Sequence, residues 1–216
     1  MVAGEIALRV AHAPEPHLGY NAGKRLLDIV GALTLVVLTS PVMAVAALLI
    51  LLTSGRPVFF GQKRMGIGGS VFTCWKLRTM VKDAEARRDE VLHLSVVDGP
   101  AFKAPEDPRV TRAGRWLRRL SVDELPQALN VLRGEMSLVG PRPLPVVENR
   151  YRGDQALRLS VKPGLTCVWQ TSGRSGVTFN EWMAMDLAYV RDRSWLTDIA
   201  LILRTIPAVL SSRGAH

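Results

Sequence analysis

One stretch constrains this chain more than any other: from Ile29 to Thr53 there is no charged residue. About 25 residues at about 1.5 Å each reach roughly 37 Å as a helix, enough to cross the hydrocarbon core of a bilayer. A buried helix in a soluble domain is usually much shorter. Near the middle of this run, in VLTSPVMAV, stand Ser40 and Pro41. Proline removes a backbone donor and disfavours helix at the residue before it, while a serine hydroxyl can bond a carbonyl left free. Lys24 and Arg25 precede the run, and Arg56, Lys63 and Arg64 follow it. Positive charge at both ends draws both to the cytoplasmic side, which a straight span cannot satisfy. A helix broken at Ser40 and Pro41 can, with each half of about 12 residues, roughly 18 Å, dipping into one leaflet and returning. A kinked helix that spans is the alternative, since proline is common in such helices.

The residues before the run include Pro14, Pro16 and several charges, so a cleavable signal peptide is not expected, and residues 1–20 read as a disordered tail. The 216 residues carry a formal net charge of +9, which points to an anionic partner. With a membrane run in the same chain, lipid headgroups and phosphorylated substrates fit better than nucleic acid. Two cysteines, Cys74 and Cys167, have no metal-ligand spacing, so neither a zinc site nor a disulfide framework is expected.

After the run, VFFGQKRMGIGGSVFTCWKLRTM, Val58 to Met80, reads as two short strands around a glycine turn. MGIGG is a poor nucleotide-binding fingerprint, because an extended segment follows it where a helix is required. Lys76 and Arg78 are two apart on the second strand and share a face, aimed at one site or at solvent. A charged helical piece is expected from Lys82 to about Leu92, then a loop around Asp98 to Asp107. Arg109, Arg112, Arg115, Arg118 and Arg119 recur at helical intervals as a cationic ridge, surface charge or a headgroup contact. The paired Asp123 and Glu124 follow. Asp123 is either a helix N-cap, which leaves Pro126 in the tolerated first turn, or a catalytic carboxylate, which arginines keep ionised. An ionised aspartate is a competent phosphoryl-accepting nucleophile, and an adjacent glutamate can help hold Mg²⁺.

Taken together, KRLLDIV, the Ser-Pro pair in the apolar run, GQKRMG, FTCWKLRTM, SVDELPQ, MSLVGPRP and KPGLTCVWQTSGRS resemble the bacterial sugar transferases, the monotopic phosphoglycosyl transferases. The likeness runs from about Lys24 to the C-terminus. It implies transfer of a sugar 1-phosphate from a UDP-sugar to polyprenyl (undecaprenyl) phosphate, with release of UMP, as the first membrane step of glycan assembly. It further implies that Asp123 is the nucleophile and that Glu124 assists with a required Mg²⁺, so that both are metal candidates. Arg118, Arg142 of the PRP motif and Arg174 of the late motif map onto phosphate-binding positions, and Lys76, Arg78 and Arg112 join them as candidate cations. The family's re-entrant helix maps its break onto Ser40 and Pro41. Two departures stand out: Ser175 where many relatives carry asparagine, and Cys167 with Val168 where a glycine and an aromatic are expected. The chain also reads as a minimal form, without the membrane helices that larger relatives place before this core.

Four scattered histidines offer no triad or metal cluster, and no Walker loop or nucleophile elbow is present. From Trp195 onward, Leu196, Ile199, Leu203, Ile206 and Leu210 follow helical spacing, which suits a helix packed on the core or one lying in the membrane interface. The expected protein is therefore α+β and mainly helical. A tail, 1–20, leads to a re-entrant membrane helix, 21–55, and then to a compact cytoplasmic catalytic domain with a small β-hairpin, 56–216. The expected setting is a bacterial inner membrane, with inner-leaflet lipids as partners and a homodimer compatible with the reading. The competing class is a non-enzymatic basic membrane protein that binds acidic lipid or scaffolds partners.

Overall fold

The computed structural model describes residues 19–96, 101–102, 104–148, 151, 153–172 and 177–210. Most of the expected N-terminal tail, together with Arg174 and Ser175, lies outside them. The long apolar run forms the core of helix α1, Tyr20–Ser54, 35 residues that end at Gly55 in a positive-φ conformation. Among the described residues it is the one helix long and apolar enough to cross a membrane. The backbone stays helical through Ser40 and Pro41, so the expected break is not a gap in the helix. Pro41 has no N–H to give to the carbonyl four residues earlier, Val37, and the Ser40 hydroxyl donates to that carbonyl at 2.9 Å. What breaks here is one backbone hydrogen bond, and a side chain replaces it.

Both ends of α1 are held by the rest of the chain. Arg25 donates to the carbonyls of Val131 and Leu132, each at 2.7 Å. Buried Asp28 accepts from the Ser137 hydroxyl and the Leu138 amide, each at 2.9 Å. Lys24 pairs with the fully buried Asp198 at 2.8 Å, which also accepts from Tyr20 and Tyr189. At the other end Arg78 donates to the carbonyls of Ser54, at 2.9 Å, and Gly55, at 2.6 Å. Between these anchors Val37, Leu38, Val42 and Val45 are exposed.

The expected hairpin is present. Strands β1, Phe59–Met65, and β2, Val71–Leu77, pair antiparallel with Phe60 opposite Lys76. The turn between them needs positive φ at Gly68 and Gly69, which glycine adopts without steric penalty. The charged helical piece is shorter than expected, a single turn α2, Arg88–Val91, followed by a 3₁₀ turn to Leu94. Helix α3, Arg112–Arg119, is capped by the Thr111 hydroxyl, which accepts from the Gly114 amide at 3.0 Å. A β-carbon at Gly114 would sit 2.1 Å from the Thr79 carbonyl, so glycine is what lets α3 lie against the chain leaving β2. Helix α4, Gln127–Arg133, leads to β3, Ser137–Val139, which pairs parallel with β4, Gly164–Thr166. A short α5, Val168–Thr171, then α6, Phe179–Asp192, and α7, Trp195–Leu210, complete the chain.

Apolar packing divides along α1. Ala32 joins Phe72, Cys74, Ala128, Val131 and Met136, while Ala46 and Ile50 join Leu77, Leu117 and Val122. A third cluster, built on Phe179, Trp182, Met183, Leu144 and Leu159, lies under α6. Both cysteines are buried and free. On α7 the apolar stripe faces outward. Leu196, Ile199, Leu203 and Ile206 are exposed, whereas Asp198 and Leu201 face the core.

Candidate active site

The segment carrying the dyad begins with strain. Among the described residues Ser121 is the one non-glycine with positive φ, at 54°. Such a conformation persists only where surrounding structure imposes it. It starts a 3₁₀ turn, Val122–Glu124, and α4 begins only at Gln127, after Pro126. Ser121 stands at the N-cap position of that turn without a side-chain cap hydrogen bond, and Asp123 lies inside the turn and caps no helix, which removes the bland role left open for Asp123.

The two carboxyls of the dyad are treated differently. Glu124 accepts from Lys76 Nζ at 2.7 Å, and Arg142 Nη1 donates to it at 3.1 Å while Nη2 donates to the other carboxylate oxygen. Asp123 is buried, and no hydrogen bond holds its carboxyl among the described residues. Burial raises the pKa of both. For Glu124 the ion pairs with Arg142 and Lys76 reverse this and hold it well below the usual carboxylate range. For Asp123 burial and the neighbouring Glu124 prevail over Lys76, Arg118 and Arg142, and its pKa is raised. Arg142 and Lys76 make their ion pairs with Glu124 and act on Asp123 without hydrogen-bonding it. Asp123 is left as the more basic carboxylate, a property that favours nucleophilicity.

A cavity of about 870 Å³ opens over the dyad, lined by Lys76, Arg78, Arg118, Asp123, Glu124 and Arg142 among others. Arg118 reaches it from α3, its Nε donating to the Thr79 hydroxyl at 3.0 Å. Arg78 lines the wall but is committed to the end of α1, so its first role is to tie that helix to the site. Arg112 is corrected: it is exposed on α3 and is not part of the cavity lining. Nor does the ridge act as a unit, since Arg109 is buried against Asp107, with 2.7 Å between them. Arg174 lies outside the described residues.

Several positioning residues carry no sequence signal. Asn130, fully buried on α4, accepts from the Trp75 amide at 3.1 Å and donates to the Thr73 carbonyl at 2.7 Å, which sets the strand that bears Lys76. Arg158 donates to Asp186 and to the Arg142 carbonyl, each at 2.6 Å, so a buried ion pair fixes the backbone of the PRP motif. Arg158 and Asp186 are 28 positions apart with no periodicity joining them, and only the tertiary fold pairs them. Among the described residues no group of three or more His, Cys, Asp or Glu side chains is placed to hold a metal.

A helix long and apolar enough to cross a membrane thus stands beside a cavity whose cationic lining surrounds an Asp-Glu pair, a lining suited to anionic ligands. A family model described as bacterial sugar transferase matches residues 19–212, and the chain belongs to that family. It is 41% identical over 198 residues to a UDP-galactose-lipid carrier transferase of Erwinia amylovora, covering 89% of this chain and 41% of that protein. It is 40% identical over 204 residues to the exopolysaccharide production protein ExoY of Sinorhizobium fredii, covering 89% of this chain and 88% of the relative. A UDP-glucose:undecaprenyl-phosphate glucose-1-phosphate transferase of Caulobacter vibrioides is 40% identical over 214 residues, 94% of this chain and 75% of the relative. The chain thus spans about two-fifths of the first relative and most of the other two.

Proposed function

We propose that this protein transfers a sugar 1-phosphate from a UDP-sugar to undecaprenyl phosphate through a covalent phosphosugar on Asp123. The observation that carries the reading is the contrast within the dyad: Glu124 clamped by Lys76 and Arg142, and Asp123 buried beside it without a hydrogen-bond partner among the described residues, facing the cavity. The Asp123 carboxylate attacks the phosphorus that bears the sugar, and the bond from that phosphorus to the bridging oxygen breaks. UMP leaves with the electron pair. An oxygen of undecaprenyl phosphate then attacks the same phosphorus, the bond to Asp123 breaks, and the carboxylate is restored. Lys76, Arg118 and Arg142 hold the phosphates and offset the charge that builds on the departing oxygen.

Asp123, whose carboxyl has no hydrogen bond among the described residues, would hold Mg²⁺ with the help of the adjacent Glu124, since the ion takes one or two carboxylates and completes its shell with water and substrate phosphates. When bound, the ion neutralises phosphate charge. The direct test is UMP release from a panel of UDP-sugars with undecaprenyl phosphate and Mg²⁺ present. Release with at least one donor is expected, and none with any donor overturns the reading.

Because Asp123 must be ionised to attack and its pKa is raised, activity is lost as pH falls through a value above the ordinary aspartate one of about 3.9. The acid limb of kcat/KM for the donor reports this group in the free enzyme. Lys76→Met removes a charge that lowers the Asp123 pKa and should move the limb to higher pH. A limb that stays in place contradicts the assignment.

The reading also places α1 as a bent insertion in the cytoplasmic leaflet. A straight helix of this length would be roughly 52 Å long, with Ala32 and Ala46 about 21 Å apart along its axis. Yet the clusters they join include Ala128 and Leu125, three positions apart where the 3₁₀ turn passes into α4. The proposed bend is at Pro41, a residue that bends helices, and it would bring both anchored ends to the same domain while the exposed middle enters lipid. Single cysteines replacing the exposed Asn21 and Lys63, in a Cys74→Ala, Cys167→Ala background, report each end. Both should resist an impermeant thiol reagent in intact cells and react after permeabilisation. Labelling of Asn21→Cys from outside contradicts the bent insertion.

A further inference from the structure

The cavity has a direction that the dyad chemistry does not use. One end is the C-terminal end of α1, where Arg78 grips the Ser54 and Gly55 carbonyls and Pro57 and Phe60 line the wall. Two residues back along β2, Lys76 holds Glu124, which holds Arg142. The carbonyl of Arg142 is gripped by Arg158. The Arg158 guanidinium lies 5.9 Å from the ring of Trp182, and Trp182 stacks on Trp169 with centroids 4.8 Å apart and planes 15° apart. Both tryptophans line the same cavity. The dyad therefore sits between the membrane helix and a stacked indole pair.

We infer that the Trp169–Trp182 end of the cavity is the subsite for the nucleoside base of the donor, with Trp169 as its stacking surface. This rests on the proposed transfer from a uridine nucleotide. The lipid acceptor comes from the bilayer and enters beside α1, so its apolar chain has no need of the far end. A donor whose attacked phosphorus lies over Asp123 extends its nucleoside away from that point, and the indole pair lines the same cavity beside Arg158, which grips the Arg142 carbonyl. A planar base laid on Trp169 continues a stack already two rings deep, and such stacking tolerates substitution only by another aromatic. Gln170, the next residue, also lines the cavity, and its side-chain oxygen accepts from the Cys167 thiol at 3.2 Å. Burial pushes that thiol up to about 12, so it remains a donor at physiological pH and keeps Gln170 oriented. The departure at Cys167 thus has a structural consequence next to the base.

The test uses UMP, which carries the base but no sugar, and measures its binding to the full-length protein by calorimetry. Trp169→Leu should weaken UMP binding roughly tenfold to a hundredfold, and Trp169→Phe should restore most of it. The KM for undecaprenyl phosphate should not change. Unaltered UMP binding in Trp169→Leu, or a rise confined to the acceptor KM, overturns the subsite. Photocrosslinking of 4-thio-UMP to the unmodified protein gives the same answer without a variant. The crosslink is expected on the segment 167–182, and a crosslink confined to the α1 end of the cavity overturns the assignment. Trp169-dependent UMP binding without turnover of any UDP-sugar would retain the subsite and reject the transfer reaction. Turnover with Trp169-independent UMP binding would do the reverse.

Discussion

Asp123→Asn should abolish sugar-phosphate transfer, by at least about a thousandfold, because an amide oxygen is a far poorer nucleophile than a carboxylate and the neighbouring Glu124 is held by Lys76 and Arg142. The same substitution should make the protein more stable at neutral pH. The folded-state pKa of Asp123 is raised, so the stability it contributes is full below its unfolded pKa and is lost as pH rises through the raised value. At neutral pH the ionised carboxylate therefore strains the fold, and asparagine relieves it. The melting temperature should rise by about 2–4 °C for each kcal/mol relieved, and the gain should shrink as the pH is lowered. A variant with a lower melting temperature than the parent at pH 7 would contradict the electrostatic account. A variant that turns over normally would contradict the chemical one.

Glu124→Gln should fail for a different reason. Its pKa is depressed by Arg142 and Lys76, so its stabilising contribution is present above the unfolded carboxylate pKa and is lost as pH falls through the lower folded value. Removing that charge leaves two largely buried cations without their anion, a change that costs about 3–5 kcal/mol in comparable buried pairs. Activity should fall with stability, since Lys76 and Arg142 lose the group that aims them at the phosphates. Circular dichroism melts at pH 7 and pH 4 separate the two variants: the deficit of Glu124→Gln narrows at the lower pH. A Glu124→Gln protein as stable as the parent at pH 7 would show that the clamp does not hold the site together.

The sequence made legible those features that depend on neighbours along the chain. The apolar run predicts α1, the glycine turn predicts the hairpin, and the Ser40 hydroxyl finds the carbonyl that Pro41 leaves without a partner, as local chemistry requires. Motif order pointed to Asp123, Glu124 and Arg142 through resemblance, since spacing alone left Asp123 open as N-cap or nucleophile, and the fold brings the three to one cavity. Arg112 was misplaced for a physical reason. Helical periodicity says which residues share a face, but not that Gly114 seats α3 with Arg112 turned to solvent and Arg118 turned inward. The Asn130 bridge, the Arg158–Asp186 pair and the Trp169–Trp182 stack are contacts between distant segments of unremarkable composition, and nothing short of the fold brings them together. The outward stripe of α7 was visible as a pattern, yet its direction depended on Asp198 being drawn inward by Lys24, Tyr20 and Tyr189.

The central claim is that the phosphosugar passes through Asp123. Incubating the protein with Mg²⁺ and a UDP-sugar radiolabelled in the sugar, with no lipid acceptor present, tests it most directly. The account predicts release of about one UMP per active site, with acid-stable label retained on the peptide that contains Asp123, discharged when undecaprenyl phosphate is added and absent from Asp123→Asn. Label that never joins the protein, with UMP released only once the acceptor is present, would contradict it and establish direct transfer between the two substrates.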